Sequence, residues 1–263
     1  MTIEIGFANI LVYLLIWVRL AGMILFNPLL SRSNVPAMVR MGLVFFMTIM
    51  VAPMQPASVF EAVYAMSAFT YTLVMVGELA VGFVYGYVFQ IFYYLLFNVG
   101  DMMDTEMGLA MAKTFDPATN IQTSFSSRLI TTLFVLYLFT SGGYQNILTL
   151  FTDSFASIPI GTFSLTTGIV PFLLELFAQV FTLAIRLVAP FMVAEFILQA
   201  SMGILMKFIP QITIFVINFQ LRILLGLLMI FLFAPFIGEF ITNYIDTMFA
   251  SLLRAMEIMS TGG

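Results

Sequence analysis

Residues 79–100 read LAVGFVYGYVFQIFYYLLFNVG, without one charged side chain, and residues 101–117 continue DMMDTEMGLAMAKTFDP, with four acidic residues and four methionines. About 20 apolar residues suffice for a helix to cross the hydrocarbon core of a bilayer, so the first stretch alone predicts a spanning helix. Gly82 and Gly86 within it have the spacing that lets two apolar helices approach closely. The second stretch breaks that pattern abruptly, and two questions follow: what surrounds the helix, and what the interruption is for.

Composition answers the first in outline. Of 263 residues, 62% are hydrophobic and 8% are charged, against roughly 25% charged in ordinary soluble domains. With a mean hydropathy of +1.10, the chain is expected to meet lipid or many apolar protein surfaces. Its length accommodates about six crossings with short connections. A net charge of −4 argues against nucleic-acid binding, which needs clustered lysine and arginine. The chain has no histidine and no cysteine, which excludes disulfides, histidine or thiolate metal sites, and histidine acid–base chemistry. The N-terminal MTIEIGFANILVYLL lacks a basic leader region and carries Glu4, so the first helix is expected to be retained.

Periodicity and proline positions predict helices near 6–29, 36–52, 58–97, 122–149, 170–206 and 208–256. Pro53 and Pro56 should end the second near Ala52. The stretch 154–174, rich in Ser, Thr, Gly and Pro, reads mostly as a loop. Pro190, Pro210 and Pro235 make the last third two hairpin-like or kinked helices. The expected fold is therefore all-α, a membrane-type bundle of long, kinked helical hairpins. It divides into N-terminal helices over 1–97, a loop over 98–121 and C-terminal hairpins over 122–263.

Charges fall inside these helices: Arg19, Glu78, Glu175, Arg186, Glu195, Arg222 and Glu239. An ion at bilayer depth costs several kcal/mol unless it is paired or faces water. Seven are too many for a bundle bathed in lipid on every side, so much of this surface should face protein or an aqueous path. Structural pairing is one reading; proton relay by Glu78, Glu175, Glu195 and Glu239 is the other.

Taken as a helix, the interruption aligns Met103, Met107 and Met111 at i, i+4 and i+8, while Asp101, Asp104 and Gly108 gather on another face. Asn98 or Asp101 can cap its start, and Asp116-Pro117 ends it. It reads either as a solvated connection with methionine filler or as an element that lines or blocks a pore. Unbranched, polarizable methionine seals against varied surfaces. No nucleophile–base pair, phosphate loop or paired carboxylates appear, so neither enzymatic activity nor a cofactor is expected.

Three stretches together resemble the flagellar export-gate family FliR. The first, VRLAGMILFNPLLSRSNVPAMVRMGLVFFMT over 18–48, matches through Arg19, Pro28, Pro36 and Arg40. The interruption matches through Met107, Gly108, Met111, Ala112, Asp116 and Pro117, with Glu106 where glutamine is usual. LMKFIPQITIFVINFQLRILLGL over 205–227 matches through Pro210, Gln211 and Phe215, with Lys207 and Thr213 at the arginine and asparagine positions of the family.

The resemblance implies one subunit of a helical, cone-shaped pore built with FliP and FliQ, alongside FlhA- and FlhB-type export components. It implies a place in the bacterial inner membrane at the flagellar basal body, with unfolded flagellar proteins as cargo. A homologous subunit of virulence secretion systems is the alternative, and a stand-alone ion-coupled transporter a more distant one. It also implies a plug. Met102, Met103, Met107, Met111 and Phe115 would occlude the channel, Gly108 would allow close approach, and Asp101, Asp104 and Glu106 would hold or hydrate the segment. Arg19, Glu78, Arg186, Glu195, Lys207, Arg222 and Glu239 would then be intersubunit or buried charge contacts.

Overall fold

The computed structural model describes residues 7–30, 35–109, 124–162, 168–208 and 214–261, and every regular element among them is helical. They are α1 (Phe7–Leu25), α2 (Ala37–Val51), α3 (Ala57–Tyr64), α4 (Ala68–Glu106), α5 (Phe125–Thr140), α6 (Gly143–Ser157), α7 (Ile169–Phe208) and α8 (Ile214–Thr261). The all-α reading holds. Four stretches are long and apolar enough to cross a membrane: Ala37–Met54, Ala68–Glu106, Ile169–Phe208 and Ile217–Ser260.

Proline and glycine set the breaks. Pro36, extended at φ −55° and ψ 142°, precedes α2, and α2 gives way at Ala52 to a single 3-10 turn over Ala52–Met54 that contains Pro53. Pro56 then opens α3. The helix expected over 58–97 instead breaks between Tyr64 and Ala68, where Ser67 caps α4 by accepting the Thr70 N–H. It then runs nine residues further than expected, to Glu106. So 98–106 is the last turns of α4 rather than a separate element with its own cap.

The helix expected over 122–149 is two helices bent by 72°. Gly142, at φ 75°, takes the left-handed conformation that side chains resist, and α6 begins beyond it. Much of 154–157 also proves helical, as the end of α6. Pro190 and Pro235 lie inside α7 and α8, which continue through them. Pro210 lies outside the described residues.

The chain divides into two compact units. The first comprises 1–92, 141–177 and 247–263; the second comprises 93–140 and 178–246. In the first, α1 buries Val12, Leu15, Ile16, Leu20 and Met23, a helical stripe with Arg19 in its middle. The edge of α1 beside this stripe meets α4. Tyr71 donates to the Leu11 carbonyl at 2.9 Å, Gly82 meets Gly22, and Gly86 meets Phe26. These pairings advance together, so α1 and the start of α4 run side by side in one direction. A Cβ on Gly82 would strike the Arg19 carbonyl, and one on Gly86 would strike the Phe26 side chain. The small-residue spacing read in the sequence is thus used for close approach between backbones.

In the second unit the end of α4 and α5 form an antiparallel pair, and α7 and α8 form another. Phe134 of α5 meets Tyr244 of α8 edge-on at 6.3 Å, and Phe191 of α7 lies 6.0 Å from Phe233 of α8.

Candidate functional site

The acidic, methionine-bearing stretch begins on the last turns of α4, and its described part has four contacts that fix it. Gly100 crosses the start of α5 so closely that a Cβ there would collide with the backbone of Ser126 and Ser127. Ser127 Oγ donates to the Phe97 carbonyl at 2.7 Å and Ser124 Oγ to the Gly100 carbonyl at 3.1 Å. Asp104 then reaches across. Its Oδ2 accepts the Phe125 N–H at 2.6 Å and its Oδ1 the Ser126 N–H at 3.1 Å. Early N–H groups of a helix have no partner within it, and a carboxylate there also meets the positive end of the helix dipole. Asp104 is buried and caps α5.

The methionines divide by environment. Met103 and Met107 are fully buried, whereas Met102 and Asp101 are exposed. Met107 lies against Gly226 of α8, where a Cβ would run into its side chain. Gly108, at φ 75°, turns the chain away after α4. A Cβ on it would sit 3.8 Å from both Arg222 Cβ and the Phe219 ring. Residues 219, 222 and 226 of α8 are therefore the seat of this turn. Met111 and Phe115, together with Ala112, Asp116 and Pro117, lie outside the described residues.

Two of the helix charges are paired with two others inside the chain. Arg19 Nε donates to Glu78 Oε2 at 2.5 Å, and Arg19 Nη1 donates to the carbonyls of Ser154 and Ile158 at 3.0 and 2.9 Å. The guanidinium also lies 4.3 Å from the centre of the Phe155 ring. Glu78 Oε1 accepts the N–H of Gly161 at 3.0 Å. Both partners are fully buried. The second pair is looser: Arg222 Nε stands 3.4 Å from Glu195 Oε2. Among the described residues, Glu195 Oε1 is buried without a hydrogen-bond partner, as is Asn218 Oδ1 one turn before Arg222.

Arg19 thus pairs with Glu78, and Arg222 with Glu195, inside the chain. The partners stand 59 and 27 residues apart, and only helix packing brings them together. Arg186, Lys207 and Glu239 are exposed and join no ion pair among the described residues.

Sequence reasoning missed Gly100, Ser124, Ser126, Ser127 and Gly226 as partners of the methionine stretch. The signal for the three serines was the run SFSS at 124–127, hydroxyls just before an apolar periodic stretch, which is how a helix start reads. Gly226 had none, since one glycine in an apolar helix does not say which side chain it admits.

A family model, Bacterial export proteins, family 1, matches residues 10–248. The flagellar biosynthetic protein FliR of Escherichia coli K12 is 27% identical over 231 residues, 88% of this chain and 87% of that protein. The FliR of Bacillus subtilis 168 is 24% identical over 224 residues, 83% of this chain and 84% of that protein. The Yop proteins translocation protein T of Yersinia pestis is 26% identical over 216 residues, 81% of this chain and 82% of that protein. The flagellar and virulence relatives both align along most of their lengths, so this chain is a subunit of a type III export apparatus and belongs to the bacterial export proteins, family 1.

Proposed function

We propose that this chain is a pore-forming subunit of the flagellar type III export gate in the bacterial inner membrane. It would assemble with FliP- and FliQ-type subunits, work beside FlhA- and FlhB-type components, and pass unfolded flagellar proteins without catalysing any reaction. One observation carries the multi-subunit reading. Arg186 and Glu239 lie exposed on helices of membrane-spanning length, with no ion pair among the described residues. Lipid is a poor neighbour for either charge, whereas a protein partner or an aqueous path satisfies both.

Within that gate the methionine stretch acts as the closure. Met103, Met107 and Asp104 root it in the second unit, and Gly108 turns the chain beyond the root. Met102, Met111 and Phe115 are the side chains that would fill the channel, with Asp101 and Glu106 on the wet side. Thioether side chains conform to whatever passes, as a gate for unfolded chains of any sequence requires. Deleting 106–114 should make membranes holding the assembled gate leak ions, and unchanged permeability would remove the plug from the proposal. Purification should bring two other small hydrophobic proteins with this chain, and recovery of this chain alone argues against the gate.

The likeness to the Yersinia protein supports a second reading, the equivalent subunit of a virulence secretion system. Restoration of motility, rather than of effector secretion, in a strain lacking its own subunit favours the flagellar machine.

A further inference from the structure

The two internal ion pairs differ in a way that points to different roles. Glu78 has a close donor on each oxygen, Arg19 on one and the Gly161 N–H on the other. Both oxygens of that carboxylate are satisfied. Glu195 is equally buried, yet among the described residues it has one contact at 3.4 Å and an oxygen with none. That contact is beyond the usual range for an N–H···O bond, and a buried acceptor without a donor costs about 1–3 kcal/mol.

The charges that face Glu195 among the described residues are Arg222 from α8 and Glu106 from the end of α4. Arg222 pairs with Glu195, and Glu106 is near enough for its charge to oppose that of Glu195. Fully ionised, the set has one negative charge in excess, and Glu195 itself is buried. One proton on Glu195 Oε1 removes the excess and puts a donor where there is none. Asn218 Oδ1, on the same face of α8 and one turn from Arg222, is an acceptor still without a donor.

The set lies at the root of the methionine stretch. Arg222 is beneath Gly108, Gly226 one turn further on receives Met107, and Glu106 is the last residue of α4. We propose that Glu195, Glu106 and Arg222 form a proton-binding site that governs how the end of α4 sits on α8. Seating the end of α4 brings Glu106 towards Glu195. The protonated, neutral set tolerates this, whereas the ionised set is relieved when Glu106 lifts away into water. Proton binding and seating therefore favour one another, as linkage requires of two events that share a state. The consequence for gating rests on the export-gate reading; the proton site itself does not.

The chain has no cysteine, so Met107→Cys places in it a single thiol that is buried while α4 is seated. Maleimide labelling of that thiol would be followed by the mass shift of this chain, in membranes holding the assembled complex, between about pH 5.5 and 8. A Met38→Cys chain, exposed at that position, corrects for the pH dependence of thiol reactivity. After correction, the thiol at position 107 should label about tenfold faster at the upper pH than at the lower. Glu195→Gln leaves a neutral set and should protect that thiol at every pH. Glu106→Gln does the same from the half-buried end of α4, and carries the test if the first variant does not assemble. A flat profile in the otherwise unaltered chain overturns the proposal, as does a slope that persists at full size in either variant. Ion leakage is scored separately by the deletion of 106–114, so a failed plug and a failed proton site give different results.

Discussion

Replacing Asp104 with alanine isolates the contact that ties α4 to α5. The carboxylate accepts the N–H groups of Phe125 at 2.6 Å and of Ser126 at 3.1 Å. Alanine removes both bonds. Phe125 is exposed, so water replaces its lost partner, but Ser126 is buried and its N–H is stranded. A stranded buried donor costs about 1–3 kcal/mol, and loss of a charged group at a helix start about another 1 kcal/mol. Ser124 cannot take over, because its hydroxyl already accepts the Ser127 N–H and donates to Gly100. The expected loss at the start of α5 is about 2–4 kcal/mol, and each 1.4 kcal/mol is tenfold in an opening equilibrium. Amide hydrogen exchange at 125–128 should therefore quicken roughly 30- to 1,000-fold, with 131–134 further along α5 as the internal reference. Asp104→Asn keeps one acceptor and should fall between the two. If residues 125–128 exchange at the same rate in the alanine variant, the cap is not what holds this junction.

Three further outcomes follow from the packing. Arg19→Met and Glu78→Leu should each cost about 3–5 kcal/mol, since each leaves a buried charge alone, while the double variant should cost clearly less than their sum; additive losses in detergent unfolding would show that the two are not coupled. Gly226→Val should cost about 1–3 kcal/mol by crowding Met107, and adding Met107→Ala should recover part of it; no recovery would mean that Met107 is not what Gly226 accommodates. Gly100→Val drives its side chain into backbone rather than into a movable side chain, so the assembled complex should be lost outright, and near-normal amounts on a native gel would refute the close crossing.

The parts of this fold written in composition and punctuation were legible. Pro53 and Pro56 marked the end of α2, Gly82 and Gly86 marked a close crossing, and long apolar runs marked the spans. The break near 65 was harder, because the helix propensity of Ala65 and Met66 is not low; at 142 the pair Gly142-Gly143 was a breaker inside an apolar run, and the left-handed Gly142 decides it. The end of α4 was misplaced for another reason. Asn98 and Asp101 look like a helix start by residue type, but they lie within α4, and it is Asp104 that caps a helix, one 21 residues later in the chain. The ion pairs were invisible as pairs, since side chains 59 residues apart have no shared period. Met103 and Met107, set on one side by their spacing, are both buried; that Met107 lies against α8 depends on Gly226, which lies more than a hundred residues away.

The Arg19 network also has an order in time. Glu78 follows Arg19 by 59 residues and Ser154 by 135, so at roughly 5–20 residues per second the carboxylate emerges after roughly 3–12 s and the carbonyl after roughly 7–27 s. For that first interval the growing chain holds a cation on an apolar stripe with no counter-ion of its own. Glu78 ends this vulnerable period long before synthesis is complete, and Gly161 and the α6 carbonyls then close around a pair that already exists. A chain arrested shortly after α4 would already have its most awkward charge neutralised, which makes α1 and α4 the natural first pair to settle while the remaining helices are still being made.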